Sequence, residues 1–255
     1  MEFEEFIKRV SASFGLNLEG YKETQLKRRI EGLMRSLGVA DYQTYYRLIT
    51  SDAEQKKKFL DRITINVSEF FRNPEAFAYL AKEILPELAG TGTRLKVWSA
   101  GCANGVEPYS LAILLYELAP RGGYLLEATD IDDQVLAVAR DGKYPETLLR
   151  NLSQAYRQKY FIPSDGFYAV KPILKQNLVF RHHDLLLDTF GQGYDLIVCR
   201  NVTIYFTRET QENLYRKFHQ ALRPGGVLFV GATESILQYR QFGYEKIASW
   251  FYRKG

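Results

Sequence analysis

Only two cysteines occur in the chain, Cys102 and Cys199. They are too few for a disulfide framework and suit a reducing compartment. No apolar run reaches the roughly 20 residues that a membrane-spanning helix needs, and the opening Met1-Glu2-Phe3-Glu4-Glu5 is acidic where a secretory leader is basic. A soluble, unexported, cytoplasmic protein is expected. The three histidines, His182, His183 and His219, show no ligand-like spacing to either cysteine, so no metal centre is expected. No internal repeat or low-complexity stretch is present. What remains is an ordinary globular balance, 46% hydrophobic and 25% charged, with a formal charge of +4 that favours an acidic partner only weakly.

The apolar spacing changes character along the chain. Phe3, Phe6, Ile7 and Val10 recur at helical intervals, as do Leu26, Ile30, Leu33 and Leu37, with Gly38 as a stop. Asp41 is a plausible cap for a third helix that buries Tyr45, Leu48 and Ile49. A further apolar-periodic helix is expected over Ala76 to Leu88. From Leu95 onward, short apolar strands alternate with helices: Leu95 to Ala100, Tyr124 to Asp130, Leu178 to His182, Leu196 to Cys199 and Val227 to Ala232. That alternation implies a mainly parallel, doubly wound sheet, closed by an antiparallel pair at Tyr244 to Ile247 and Trp250 to Tyr252. The division expected is a helical domain with its linker over 1–72 and an α/β domain over 73–255. A small β subdomain is inserted at about 147–177, with a hairpin formed by Phe167 to Val170 and Ile173-Leu174 around Lys171-Pro172.

The strongest local signal runs from Val97 to Ser110, a strand passing through Gly101-Cys102-Ala103-Asn104-Gly105 into a helix. Glycine there permits a tight turn and close approach of a ligand. The spacing is not that of a dinucleotide site, and no Gly-Lys-Ser/Thr follows to make a phosphate loop. The second strand ends in Thr129-Asp130-Ile131-Asp132, where an acid can accept both hydroxyl protons of a ribose; Asp130 could also cap the next helix. The third strand ends in His182-His183-Asp184-Leu185, which puts Asp184 where it could read the exocyclic amine of an adenine. Arg200 and Asn201 follow an apolar strand directly and so fall at the carboxyl end of the sheet, where ligands bind.

Taken in order, Asn66-Val67-Ser68-Glu69-Phe70-Phe71-Arg72, then Trp98 to Ser110, Thr129 to Asp132 and Cys199 to Phe206 resemble the successive signatures of the CheR family, chemotaxis receptor glutamate O-methyltransferases. The similarity spans nearly the whole chain. It implies a Rossmann-like α/β methyltransferase sheet with an N-terminal all-helical domain, and S-adenosylmethionine as cofactor with S-adenosylhomocysteine as product. Residue by residue it implies that Asn66, Ser68 and Arg72 reach the cofactor from the interdomain segment. Gly101 belongs to the first turn, Glu107 and Asp130 bind polar and ribose groups, and Asp184 with Leu185 frames the adenine. Arg200, Asn201 and Val202 close the pocket, with Tyr205 near the reactive methyl. Ser68, Asn104 and Val106 stand where the family more often has Thr, Thr and Glu; Ser68 keeps the hydroxyl.

The implied acceptor, a glutamate carboxylate, is already ionised at neutral pH and needs no general base. Positioning therefore carries the catalysis, and Arg72 and Tyr205 are the candidates for orienting the carboxylate or the methionine end of the cofactor. Lys27, Arg28, Arg29 and Arg35 can gather one positive face on the second helix while Leu26, Ile30 and Leu33 turn inward. The resemblance makes this the face for glutamate-rich receptor helices. The Phe161 to Phe167 connection is shorter than expected of members that grip a receptor's terminal peptide, so action without such a tether is expected. A monomer is the default. The alternatives are a catalytically weak cofactor-binding scaffold and a methyltransferase for another protein or a small molecule. No Asn-Pro-Pro-Tyr-like base-flipping motif points to nucleic acid.

Overall fold

The computed structural model describes residues 1–63, 69–90, 92, 94–120 and 122–255. Helix α1 (Phe3–Phe14) buries Phe3, Phe6, Ile7 and Val10 and ends at Gly15 in the left-handed conformation. Helix α2 (Glu23–Ser36) buries Leu26, Ile30 and Met34. Leu33 was expected on that face but is only half-buried, and Leu37 beyond the helix end is exposed. Asp41 caps α3 (Tyr42–Ser51) as expected, its carboxylate accepting from Thr44 N at 2.9 Å. Helix α4 (Ala53–Ile63) adds Phe59 and Ile63, and the Phe6 ring lies stacked on Tyr45 and edge-on to Phe59 at the centre of this helical group.

The helix expected over Ala76 to Leu88 is present as α5 (Pro74–Tyr79), a wide π-type turn at Leu80–Ile84, and α6 (Leu85–Ala89). The irregularity falls beside Pro86, which has no N–H to donate to the preceding turn. Thereafter β1 (Leu95–Ala100), α7 (Val106–Leu118), β2 (Tyr124–Asp130), α8 (Asp133–Asp141), β3 (Lys143–Pro145), α9 (Gln154–Tyr160), β4 (Phe161–Ser164), β5 (Phe167–Val170), β6 (Leu178–His182), β7 (Tyr194–Cys199), α10 (Arg208–Ala221), β8 (Leu222–Val230), β9 (Tyr244–Ala248) and β10 (Phe251–Lys254) follow in chain order.

Seven strands form one sheet in the order β6-β2-β1-β7-β8-β10-β9. The pairs from β6 across to β8 are parallel, and β10 runs antiparallel to both β8 and β9. Alternate residues of the strands feed two separate cores. Val97, Leu126, Val198 and Phe229 pack with α5 to α7 on one face, and Trp98, Ile197, Leu228 and Tyr252 pack with α10 on the other. Covering both faces explains why the strands read as continuous apolar runs. Between β1 and β7 the connections leave in opposite directions, and this is the crevice in which ligands of such sheets bind.

Two elements depart from expectation. Strand β8 already starts at Leu222, opposite Tyr194, and the segment Arg223 to Gly226 bulges before pairing resumes at Leu196 with Val227. In the small sheet, of order β3-β5-β4, the partner of Phe167–Val170 is Phe161–Ser164 rather than Ile173-Leu174, which lies in a short 3-10 turn. Its third strand, Lys143–Pro145, lies ahead of residue 147. Among the described residues no helix is long and apolar enough to cross a membrane.

The helical group meets the α/β domain through main-chain bonds and through side chains, among them Lys22 Nζ on Ile204 O at 2.9 Å and the Tyr21 ring edge-on to Phe206. Tyr21 forms an antiparallel bridge with Phe206, Lys22 N donates to Tyr205 O at 2.8 Å, and Thr207 N donates to Gly20 O at 2.9 Å.

Candidate active site

The turn after β1 is built on the end of β2. Gly101 N and Cys102 N both donate to Thr129 O, at 2.8 and 2.9 Å, and Ala103 N donates to Asp130 Oδ2 at 2.8 Å. Gly101 has φ near 80° and Gly105 near 90°, a region that L side chains avoid. At Gly105 space forbids a side chain as well, since a Cβ would come within 2.7 Å of Ala139 Cβ and 2.9 Å of Tyr144 Oη.

Asp130 therefore does not cap the following helix. Asp132 does, accepting from Gln134 N at 2.9 Å. Asp130 takes Ala103 N on one oxygen and Asp132 N on the other, which leaves further lone pairs on both. Burial pushes its carboxyl up to about 6, partly offset by those backbone donors, so it is ionised at neutral pH. Asp184 is organised in a similar way. Its Oδ1 accepts from Leu186 N and Leu187 N, while its Oδ2 is buried and has no hydrogen-bond partner among the described residues.

Arg200 and Glu107 form a buried pair on the other side of the turn. Arg200 Nη1 lies 3.5 Å from Glu107 Oε2, and Ser99 Oγ donates to Glu107 Oε1 at 2.8 Å. Burial raises the Glu107 carboxyl, against the pull of Arg200. The remaining arm of Arg200 donates to Arg72 O at 2.9 Å and Asn73 Oδ1 at 2.8 Å, and its guanidinium lies over the rings of Phe229 and Phe77. Arg72 is flanked by two non-glycine residues of positive φ, Phe71 at 50° and Asn73 at 59°. Arg200 thus fastens a strained segment, and the contacts that its side chain makes here are to protein.

The wall after β7 comes from Asn201 to Phe206. Val202 packs on Gly101, where a Cβ would lie 2.5 Å from Val202 Cγ2. The Tyr205 ring carries the Arg29 guanidinium 4.5 Å from its centroid. Arg29 also donates to Ile63 O at 3.2 Å and is half-buried, whereas Lys27, Arg28 and Arg35 are exposed. The four basic residues expected on one outer face are therefore divided, with Arg29 turned towards the site.

Most of these parts line a single cavity of about 360 Å³. Arg72, Gly101, Glu107, Asp130, Asp184, Leu185, Arg200, Asn201, Val202 and Tyr205 contribute to its surface. Asn66 and Ser68 lie outside the described residues. Sequence reasoning missed the share of the helical domain, from which Phe14, Asn17, Tyr21 and Lys56 also line the cavity. The Tyr21 hydroxyl is pushed well above its ordinary value, first by burial and then by the charges of Asp184 and Asp130. Also missed was Glu234, a buried acid behind the Asn201 wall. Neither belongs to a local motif, and only the folded chain brings them to the site.

The model of the CheR methyltransferase SAM binding domain matches residues 66–250, and that of the CheR all-alpha domain matches residues 1–64. The chain belongs to the CheR methyltransferase family. It is 39% identical over 250 residues to a chemotaxis protein methyltransferase of Listeria monocytogenes, covering 98% of this chain and 95% of that one. A chemotaxis protein methyltransferase of Borreliella burgdorferi is 33% identical, covering 95% and 91%. Chemotaxis protein methyltransferase 1 of Pseudomonas aeruginosa is 33% identical, covering 92% and 90%. The chain is accordingly an S-adenosylmethionine-dependent methyltransferase of chemotaxis. The residues present fit that cofactor: the orphaned Asp184 Oδ2 is a buried acceptor awaiting a donor, and Asp130 and Glu107 offer carboxyl oxygens in the same cavity.

Proposed function

We propose that the chain methylates glutamate side chains on the cytoplasmic helices of chemoreceptors, giving methyl esters, and that it does so in the cytoplasm. The observation that carries this reading is the charge lining the cavity. Carboxylates outnumber cations in its lining, with Glu69, Glu107, Asp130, Asp132, Asp133 and Asp184 against Lys56, Arg72 and Arg200, and Arg29 adds a charge over the lining ring of Tyr205. The excess of carboxylates suits a cationic cofactor, and Arg72, Lys56 and Arg29 offer positive charge to an acceptor that arrives as an anion.

S-adenosylmethionine, when bound, supplies a methyl group made electrophilic by its sulfonium sulfur. Asp130 would accept from ribose hydroxyls and Asp184 Oδ2 from the adenine amine, with Leu185 against the ring. Glu107 would receive the amino group of the methionine end, and Arg72 its carboxylate or that of the acceptor. Asn66 and Ser68 would add contacts from the interdomain segment. A glutamate near its ordinary pKa of about 4.3 needs no base, so the task of Tyr205 and Arg72 is orientation and exclusion of water. Exposed Lys27, Arg28 and Arg35 would steer an acidic helix towards the rim. The two-residue turn at Asp165-Gly166 between β4 and β5 supports action without a peptide tether.

The deciding experiment is transfer of labelled methyl to membranes that carry chemoreceptors, with alkaline release of methanol as the mark of an ester. Base-labile label that falls at least 100-fold in Arg72→Ala supports the reading. Tight cofactor binding with no transfer to any receptor would sink it in favour of a scaffold or another acceptor.

A further inference from the structure

Glu234 follows β8 in a loop, is 4% exposed, and faces the rear of the cavity wall. Its Oε1 accepts from Val202 N at 2.9 Å, Thr203 N at 2.7 Å and Thr203 Oγ1 at 2.8 Å. Its Oε2 accepts from Asn201 N at 2.5 Å and Gly231 N at 2.8 Å. A carboxylate removed from water is costly unless its lone pairs are filled, and here they are filled by three successive main-chain N–H groups of one loop. Those groups converge because Asn201 adopts a left-handed φ of 60°, a conformation that asparagine tolerates better than most residues. Without an anion at their focus, the three N–H dipoles would repel one another and the loop would open.

The same loop forms the cavity. Val202 rests on Gly101, and Tyr205 N donates to Val202 O at 3.3 Å, so Tyr205 follows wherever the Asn201 to Thr203 turn is set. Gly231 is constrained as well, for a Cβ there would collide with Glu234 Oε2 and come within 2.9 Å of Asn201 N. We propose that Glu234 is the positioning residue of the cofactor pocket, an internal anion that folds the Asn201 to Tyr205 wall before any cofactor arrives. The inference rests on reading the cavity as the cofactor site, and it does not depend on which acceptor is methylated.

The test joins amide hydrogen exchange of the unliganded full chain with calorimetric binding of S-adenosylhomocysteine, which needs no acceptor. In the wild type, the amides of Asn201, Val202 and Thr203 should exchange slowly before cofactor is added. Glu234→Gln is nearly isosteric but turns an NH2 group towards at least two of the donors. It should speed that exchange and weaken S-adenosylhomocysteine binding about 10- to 100-fold. Fast exchange in the unliganded wild type, or wild-type affinity in Glu234→Gln, overturns the proposal. If Glu234→Gln does not fold, Thr203→Val removes a single donor: binding a few-fold weaker supports the proposal and unchanged binding overturns it. Failure of the wild type to bind S-adenosylhomocysteine despite slow exchange would instead count against the cavity as the cofactor site.

Discussion

At the scale of single residues, Asp130 gives the chain a definite pH signature. Burial raises its carboxyl from 3.8 to about 6 in the free protein. Between those values the folded chain holds a proton that the unfolded chain has released, so the group's contribution to stability falls as pH rises from about 4 to about 6 and is level above. Cofactor affinity should run the other way, because a ribose needs the ionised acceptor. Binding of S-adenosylhomocysteine is expected to weaken about tenfold per pH unit below 6, and Asp130→Asn to bind weakly with that dependence gone. Calorimetry between pH 5 and 8 checks both. The buried pair of Arg200 and Glu107 makes a second residue-scale prediction. Arg200→Met strands a buried carboxylate and should cost about 3 kcal/mol, read as a fall in Tm, whereas adding Glu107→Gln should restore most of it. If Glu107→Gln restores nothing, the pair is not what Arg200 holds.

At the scale of elements, the turn between β1 and α7 is the least forgiving. Gly105→Ala combines a φ near 90° with collisions against α8 and Tyr144, and should lower stability by about 2 kcal/mol or more in thermal or urea unfolding. A variant as stable as the parent would show that α8 can shift to make room. Elements were the most legible part of the sequence. The strands Leu95 to Ala100 and Tyr124 to Asp130 were readable because both faces of the sheet are covered, and Asp41 because a short acid before an apolar period caps a helix. The register of the small sheet was not readable. Pro163 argues against a strand, but β4 lies at the edge of its sheet, where a missing N–H costs nothing. Glu234 was beyond reach, since its five donors come from segments whose nearness is decided only by the parallel order of β7 and β8.

At the scale of the whole molecule, charge is the quantity to vary. Lys27, Arg28 and Arg35 are exposed on α2, and opposite charges in water are screened within about 8 Å at physiological salt. Receptor methylation at subsaturating receptor is therefore expected to fall roughly three- to tenfold between 50 and 300 mM salt. In an Arg28→Glu, Arg35→Glu double variant that slope should flatten or reverse, with S-adenosylhomocysteine affinity unaltered. A variant that keeps the salt slope of the parent would remove α2 as the steering face.

The seam between the helical group and the sheet domain is sewn with atoms common to nearly every amino acid: Lys22 N to Tyr205 O, Thr207 N to Gly20 O, and the Tyr21 bridge to Phe206. Inherited change can rewrite other side chains on either bank without touching these bonds, to which Lys22 Nζ on Ile204 O, the Tyr21–Phe206 rings and the Arg29–Tyr205 pair add threads of their own. Gly20 packs closely there, an added Cβ coming within 2.8 Å of Leu186 Cδ1 and 3.3 Å of Thr210 Oγ1, both ends of side chains that can turn aside. The lineage of this protein is thus free to redraw much of its outer surface while main-chain atoms keep its two halves joined.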